Sequence, residues 1–170
     1  MKKILVAGIG NIFHGDDAFG CEVIRNLNPG ALPEGVTVRD FGIRSYDLAY
    51  ALNDGYAAVI LVDAAARGEP PGTLYLIEPE VDRLSEFDRS AVDAHAMNPV
   101  SVIQMAKTLG GVKGKLYLVG CEPAVLESEG ETGLSAKVEA AVPEALAMIT
   151  ILVKHILDSE EKLAINVPAA

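Results

Sequence analysis

The chain alternates between short, continuously apolar runs and longer segments in which apolar residues recur every three or four positions. Apolar runs of this length are typical of buried β-strands, and the longer spacing is typical of helices packed on a core. The apolar runs predict strands over residues 3–8, 35–40, 58–63, 73–77 and 116–120. The periodic segments predict helices over residues 18–27, 45–53, 99–109 and 134–157.

This order of strands and helices predicts an α/β fold, a three-layer α/β/α sandwich with a mostly parallel, twisted sheet of about five strands. The run at 73–77 follows a Pro-Pro-Gly turn and is the candidate for an antiparallel edge strand. The chain has 170 residues, half of them apolar, and is long enough for one compact domain. We expect this domain over residues 1–157, a kink or restart of the last helix at Pro143, and a loosely ordered tail over 158–170.

The net charge of −10 argues against binding to nucleic acid and against attraction to an anionic membrane surface. The apolar run near the N-terminus is too short for a signal peptide, and we expect no segment long enough to span a bilayer. Cys21 and Cys121 lack CxxC spacing, so neither a disulfide framework nor a zinc ribbon is indicated. These features predict a cytoplasmic protein.

The most distinctive segment is residues 10–20, GNIFHGDDAFG, which follows the first predicted strand and leads into the first predicted helix. A glycine-rich turn at a helix N-terminus usually binds a phosphate group. Here Asp16 and Asp17 stand at that place, and their charges would repel a phosphate. The turn is therefore predicted to hold a cation.

Other polar side chains follow the predicted strands at the same edge of the sheet. Asp40 and Asp63 end the second and third strands, and His95 lies in the loop before the third helix. Ligands of open α/β sheets bind beyond the carboxyl ends of the strands, so we expect these residues to meet Asp17 there. Two carboxylates and an imidazole suit a borderline divalent metal with open coordination positions. Structural interpretations remain open: Asp17 as a charge at a helix N-terminus, Asp63 as a cap and His95 as a surface loop residue.

Taken in order, seven segments resemble the hydrogenase maturation endopeptidases, which process the large subunit of nickel-iron hydrogenases. The matching segments are GIGN at 8–11, DDAFG at 16–20, DFG at 40–42, VDA at 62–64, His95 ahead of Asn98-Pro99, LVGCEP at 118–123 and GLS at 133–135. The similarity extends over about residues 3–155, which is nearly the whole chain. No segment is diagnostic alone, but the seven segments in this order are strong evidence for the resemblance.

The resemblance implies that Asp17, Asp63 and His95 bind metal and that Asp40 takes part in activity and substrate recognition. It implies an endopeptidase that removes the C-terminal extension of a nickel-iron hydrogenase large-subunit precursor after nickel insertion, with that precursor as its partner. The nickel is carried by the substrate, and no tightly bound cofactor of the enzyme's own is expected. The sequence shows no serine or cysteine nucleophile with a base beside it, which favours attack by water.

Two other classes of function fit parts of the pattern. A dinucleotide-binding Rossmann-type oxidoreductase or sensor would use Gly8, Gly10 and Asp40. Against it, Phe13 stands where GxGxxG needs its third glycine, and the aspartate pair would oppose a pyrophosphate. A non-enzymatic nickel-binding chaperone would use the same three metal ligands without proteolysis.

Overall fold

The computed structural model describes residues 1–83, 98–126 and 132–165. Within these residues the chain forms five strands and four α-helices. The strands are β1 (Ile4–Ile9), β2 (Val36–Gly42), β3 (Ala58–Ala64), β4 (Leu74–Ile77) and β5 (Lys115–Cys121). The helices are α1 (Phe19–Asn26), α2 (Ser45–Leu52), α3 (Pro99–Leu109) and α4 (Ala136–Ile165).

The five strands form one sheet in the order β2-β1-β3-β5-β4. The first four of these strands run parallel, and β4 pairs antiparallel with β5 at the edge, as the sequence predicts. β1 and β3 lie in the interior, and every residue from Ile4 to Ile9 is buried. Strands covered on both faces read as continuous apolar runs, which is why their sequence pattern is so clear.

Alternate strand residues face two separate hydrophobic cores. Ile4, Val6 and Ile60 pack on one face with side chains of α1 and α4. Leu5 and Leu61 pack on the opposite face with side chains of α2 and α3. The two-residue period of a strand divides the apolar side chains in this way, and the result is the predicted three-layer α/β/α sandwich.

Helix α4 departs from the sequence prediction at both Pro143 and its C-terminal end. Pro143 lies inside one continuous helix, and the helix does not restart there. Pro143 removes one internal hydrogen bond, but Val138, Val142 and Ile149 anchor the helix to the sheet on either side of it. The helix also continues to Ile165, so residues 158–165 are helical rather than irregular, because EEKLA at 160–164 consists of strong helix formers. Residues 166–170 of the predicted tail lie outside the described residues.

The segment Ala136–Ser159 of α4 is long and apolar enough, by length and composition, to cross a membrane. The expectation that no segment has this length is therefore wrong. One face of the helix, with Val138, Ala145, Ile149 and Val153, is buried against the sheet. This packing accounts for the apolar residues of that face, and 33% of the apolar segment is buried.

Candidate active site

The strand order places a crevice between the carboxyl ends of β1 and β3. From β1 the chain continues to β2 on one side of β1, and then crosses to β3 on the other side. The direction of winding therefore changes between β1 and β3. In open α/β sheets such a switch point is the usual ligand-binding position. Asp17 follows β1 and Asp63 is the penultimate residue of β3, so both belong to this crevice.

Asp17 is held by the short turn that precedes α1. The amide N–H of Asn11 donates to Asp17 Oδ2 at 2.9 Å, and the Asp17 N–H donates to the His14 carbonyl at 3.0 Å. Gly10 makes the turn possible, because a Cβ at this position would lie 1.8 Å from the Asp17 carbonyl oxygen. Burial raises the pKa of Asp17, against the opposing effects of the Asn11 bond and of the His14 charge. The turn therefore fixes a carboxylate whose charge is only partly compensated.

Asp63 is almost completely buried, with only 4% of its surface exposed. Burial raises the pKa of Asp63 well above its usual range, and the charge of Asp17 raises it further, whereas a bond from the Ala64 N–H lowers it. Among the described residues, neither carboxylate forms an ion pair with a lysine or an arginine. The two aspartates thus form a repelling pair, which an incoming cation would stabilise.

Asp40 lies beside this pair, on edge strand β2. It is half-buried, pairs in register with Gly8 of β1, and accepts a hydrogen bond from the Gly42 N–H at 2.9 Å. The thiol of Cys21 on α1 is close enough to Asp40 and Asp63 to be affected by the charges of both. Burial, then the Asp40 carboxylate and to a smaller extent Asp63 raise the pKa of Cys21 to about 12, against a lowering effect of Arg25. The structure therefore brings Asp40 to the crevice as predicted, and adds a buried thiol that the sequence did not single out.

His95 lies outside the described residues, so the third predicted metal ligand stays a prediction. In residues 1–83, 98–126 and 132–165, no three His, Cys, Asp or Glu side chains form a group that could hold a metal ion. Asp17 and Asp63 are the two predicted ligands that lie within the described residues. His14 is exposed on the turn and His155 is exposed on α4.

Asp16 is a structural carboxylate that the sequence did not separate from Asp17. It is fully buried and accepts hydrogen bonds from the N–H groups of Ala124, Val125 and Ser135 and from the Ser135 hydroxyl, at 2.7–2.9 Å. Burial alone would raise the pKa of Asp16, but these bonds hold it below its usual value. Through these bonds, Asp16 attaches the turn that contains Asp17 to two other segments. One of them follows β5, and the other precedes α4.

Glu122 has a similar structural role on the other side of the crevice. Its carboxylate accepts hydrogen bonds from the Tyr75 hydroxyl at 2.6 Å and from the N–H groups of Arg67 and Gly68. The bond from Tyr75 is the main reason why the pKa of Glu122 is low, and the pKa of Tyr75 is raised to about 12, first by burial and then by Glu122. Glu122 thus holds the loop that follows Asp63. In the sequence, the LVGCEP segment is the only signal that points to Glu122.

Comparison with known families agrees with this architecture. A family model described as hydrogenase maturation protease matches residues 21–151 of the chain. The chain belongs to this family. It is therefore a peptidase, and the oxidoreductase and chaperone alternatives do not hold.

Individual members of the family resemble the chain over most of its length. The putative hydrogenase maturation protease MJ0253 of Methanocaldococcus jannaschii is 33% identical over 150 residues, which cover 87% of this chain and 94% of that protein. The hydrogenase 2 maturation peptidase from Thaumarchaeota archaeon SCGC_AB-539-E09 is 33% identical, with a TM-score of 0.67 over 90% of this chain and 99% of that chain. The hydrogenase maturating endopeptidase HybD from Escherichia coli is 26% identical, with a TM-score of 0.71 over 90% of this chain and 93% of that chain. Both solved structures share the fold of this chain.

Proposed function

We propose that this peptidase removes the C-terminal extension of a nickel-iron hydrogenase large-subunit precursor after nickel has been inserted. In this proposal Asp17, Asp63 and His95 recognise the nickel that the precursor carries, and Asp40 contacts the substrate beside them. The enzyme needs no tightly bound cofactor of its own. The observation that carries the proposal is the pair of half-buried Asp17 and buried Asp63 at the switch point of the sheet, whose pKa values are both raised.

The electrostatics of this pair favour a cation that arrives with the substrate. Each carboxylate raises the free energy of the folded protein when ionised, because burial removes its hydration and Asp17 repels Asp63. A divalent ion between them would compensate both charges. Carboxylate oxygens with an imidazole nitrogen are suitable ligands for nickel, and an incomplete ligand set leaves positions for the precursor's own ligands.

The state of the two cysteines supports attack by water on the scissile carbonyl. Cys21 and Cys121 are both buried and free, and burial is the main cause that raises their pKa values to about 12 and about 11. Neither thiol ionises at neutral pH, so neither is an activated nucleophile. Free thiols are also typical of a reducing compartment, which supports a cytoplasmic site of action within the proposal.

Cleavage is expected to require nickel in the precursor. Incubation of the enzyme with nickel-loaded precursor should yield a shortened large subunit, detected as a mass loss, whereas nickel-free precursor should remain intact. The physical reason is that Asp17 and Asp63 gain a compensating charge only when the substrate brings it. The Asp17→Asn variant is the matched control and should cleave neither form. Equal cleavage of both precursors by the wild-type enzyme would contradict nickel recognition.

A further inference from the structure

A groove of about 380 Å³ opens beside the candidate active site, at the carboxyl ends of β1 and β2 and next to α1. Gly10 and Gly42 lie along it and are joined by a hydrogen bond from the Gly10 N–H to the Gly42 carbonyl at 3.0 Å. Asp40 lines the same groove. Asn11, a further lining residue, donates its N–H to Asp17, so the groove and the site share one turn. A chain lying in the groove would therefore lead directly to the acidic pair.

The walls of the groove are apolar and exposed. Phe13 is 66% exposed, Ile43 is 60% exposed and Ile12 is 40% exposed, and all three line the groove. They come from two different turns, one after β1 and one after β2, so a single sequence segment does not explain their proximity. Large apolar side chains grouped in this way beside a site usually mark a binding surface.

The charged side chains of the groove are already engaged within the protein. Arg44 donates hydrogen bonds to the carbonyl oxygens of Asp40 and Phe41, and Arg25 forms an ion pair with Glu22 at 2.6 Å. Arg44 also forms an ion pair with Asp47 at 3.4 Å, so both arginines already have partners within the protein. The groove offers apolar contact as its main source of affinity.

We propose that this groove binds an apolar side chain of the substrate polypeptide, in the segment next to the bond that is cut. The proposal rests on the proposed function and names the substrate chemistry that the site accepts. A peptidase must hold the chain on at least one side of the scissile bond, and this groove adjoins Asp17 and contains Asp40. Phe13 and Ile43 are then specificity-determining residues that bind the precursor without taking part in bond cleavage.

The test compares Phe13→Ser, Ile43→Ser and the double variant with wild-type enzyme on nickel-loaded precursor. Each single variant is expected to raise KM about tenfold, equivalent to about 1.4 kcal/mol, and the double variant about 100-fold, with the loss confined to KM. Ile151→Ser is the matched control, because Ile151 is 68% exposed on α4 and does not line the groove. It should keep the wild-type KM.

Two results would overturn the groove proposal while leaving the proposed function intact. One is a KM of the double variant that equals the wild-type KM, when the wild-type enzyme cleaves the precursor. The other is a change of sedimentation coefficient in the double variant with KM unchanged, which would assign the groove to contact between two copies of the chain. Failure of the wild-type enzyme to cleave nickel-loaded precursor would instead overturn the proposed function itself, and this inference with it.

Discussion

Asp63→Asn is expected to reduce cleavage of nickel-loaded precursor by several orders of magnitude, while the variant folds and melts at a slightly higher temperature than wild type. Asparagine keeps the size of the side chain but removes the negative charge that the proposal assigns to nickel binding. The same change removes a buried charge that Asp17 repels, so stability should not fall. Cleavage is measured by mass spectrometry of the product, and stability by thermal unfolding.

The gain in stability should depend on pH in a defined direction. Because the pKa of Asp63 is raised in the folded state, ionisation of this group is less favourable in the folded protein than in the unfolded chain. The penalty is absent below the usual carboxyl pKa of about 4 and grows as the pH rises toward the raised value. Asp63→Asn should therefore match wild type in acid and exceed it at neutral pH.

Asp54→Asn is the matched control, because Asp54 is an exposed aspartate after α2. It should retain full cleavage activity and wild-type stability. Near-normal processing by a folded Asp63→Asn variant would remove Asp63 from the site. A large fall in its melting temperature would contradict the account of Asp63 as a repelled, buried charge.

The sequence predicts most of the fold because the hydrophobic pattern of each element is local. The continuous apolar runs of β1 and β3 follow from burial on both faces, and the predicted bounds of α3 are those observed. The end of α4 is less predictable, since its last turns have good helix propensity but no apolar periodicity. Propensity and periodicity disagree there, and the prediction followed periodicity.

The candidate site likewise has a part that is predictable from the sequence and a part that is not. The positions of Asp17, Asp40 and Asp63 are predictable because each lies shortly after a strand or within its last three residues, and parallel strands end at one edge of the sheet. The roles of Asp16 and Glu122 depend on hydrogen bonds to partners between 47 and 119 residues away along the chain. No local pattern contains such partners, so two buried carboxylates that organise the site are visible only in the folded protein.

Asp16→Ala is expected to lower the free energy of unfolding by about 3 to 5 kcal/mol, a large share of the stability of a domain of this size. The substitution leaves the N–H groups of Ala124, Val125 and Ser135 without their shared acceptor. Asp16→Asn should also be strongly destabilising, because its amide group would face donors with a further donor. Denaturant unfolding followed by circular dichroism measures both losses.

Two neighbouring variants separate this structural role from catalysis. Ser135→Ala removes only the hydroxyl bond to Asp16 and should cost about 1 kcal/mol. Asp17→Asn, one residue further along the chain, should keep its stability and lose cleavage.

Because the pKa of Asp16 is lowered in the folded state, its contribution to stability is complete above a pH of about 4 and is lost as the pH falls through the lowered value. Asp16→Ala should therefore lose less stability than wild type on acidification. If the free energy of unfolding of Asp16→Ala lay within about 1 kcal/mol of the wild-type value at neutral pH, the structural role of Asp16 would be contradicted.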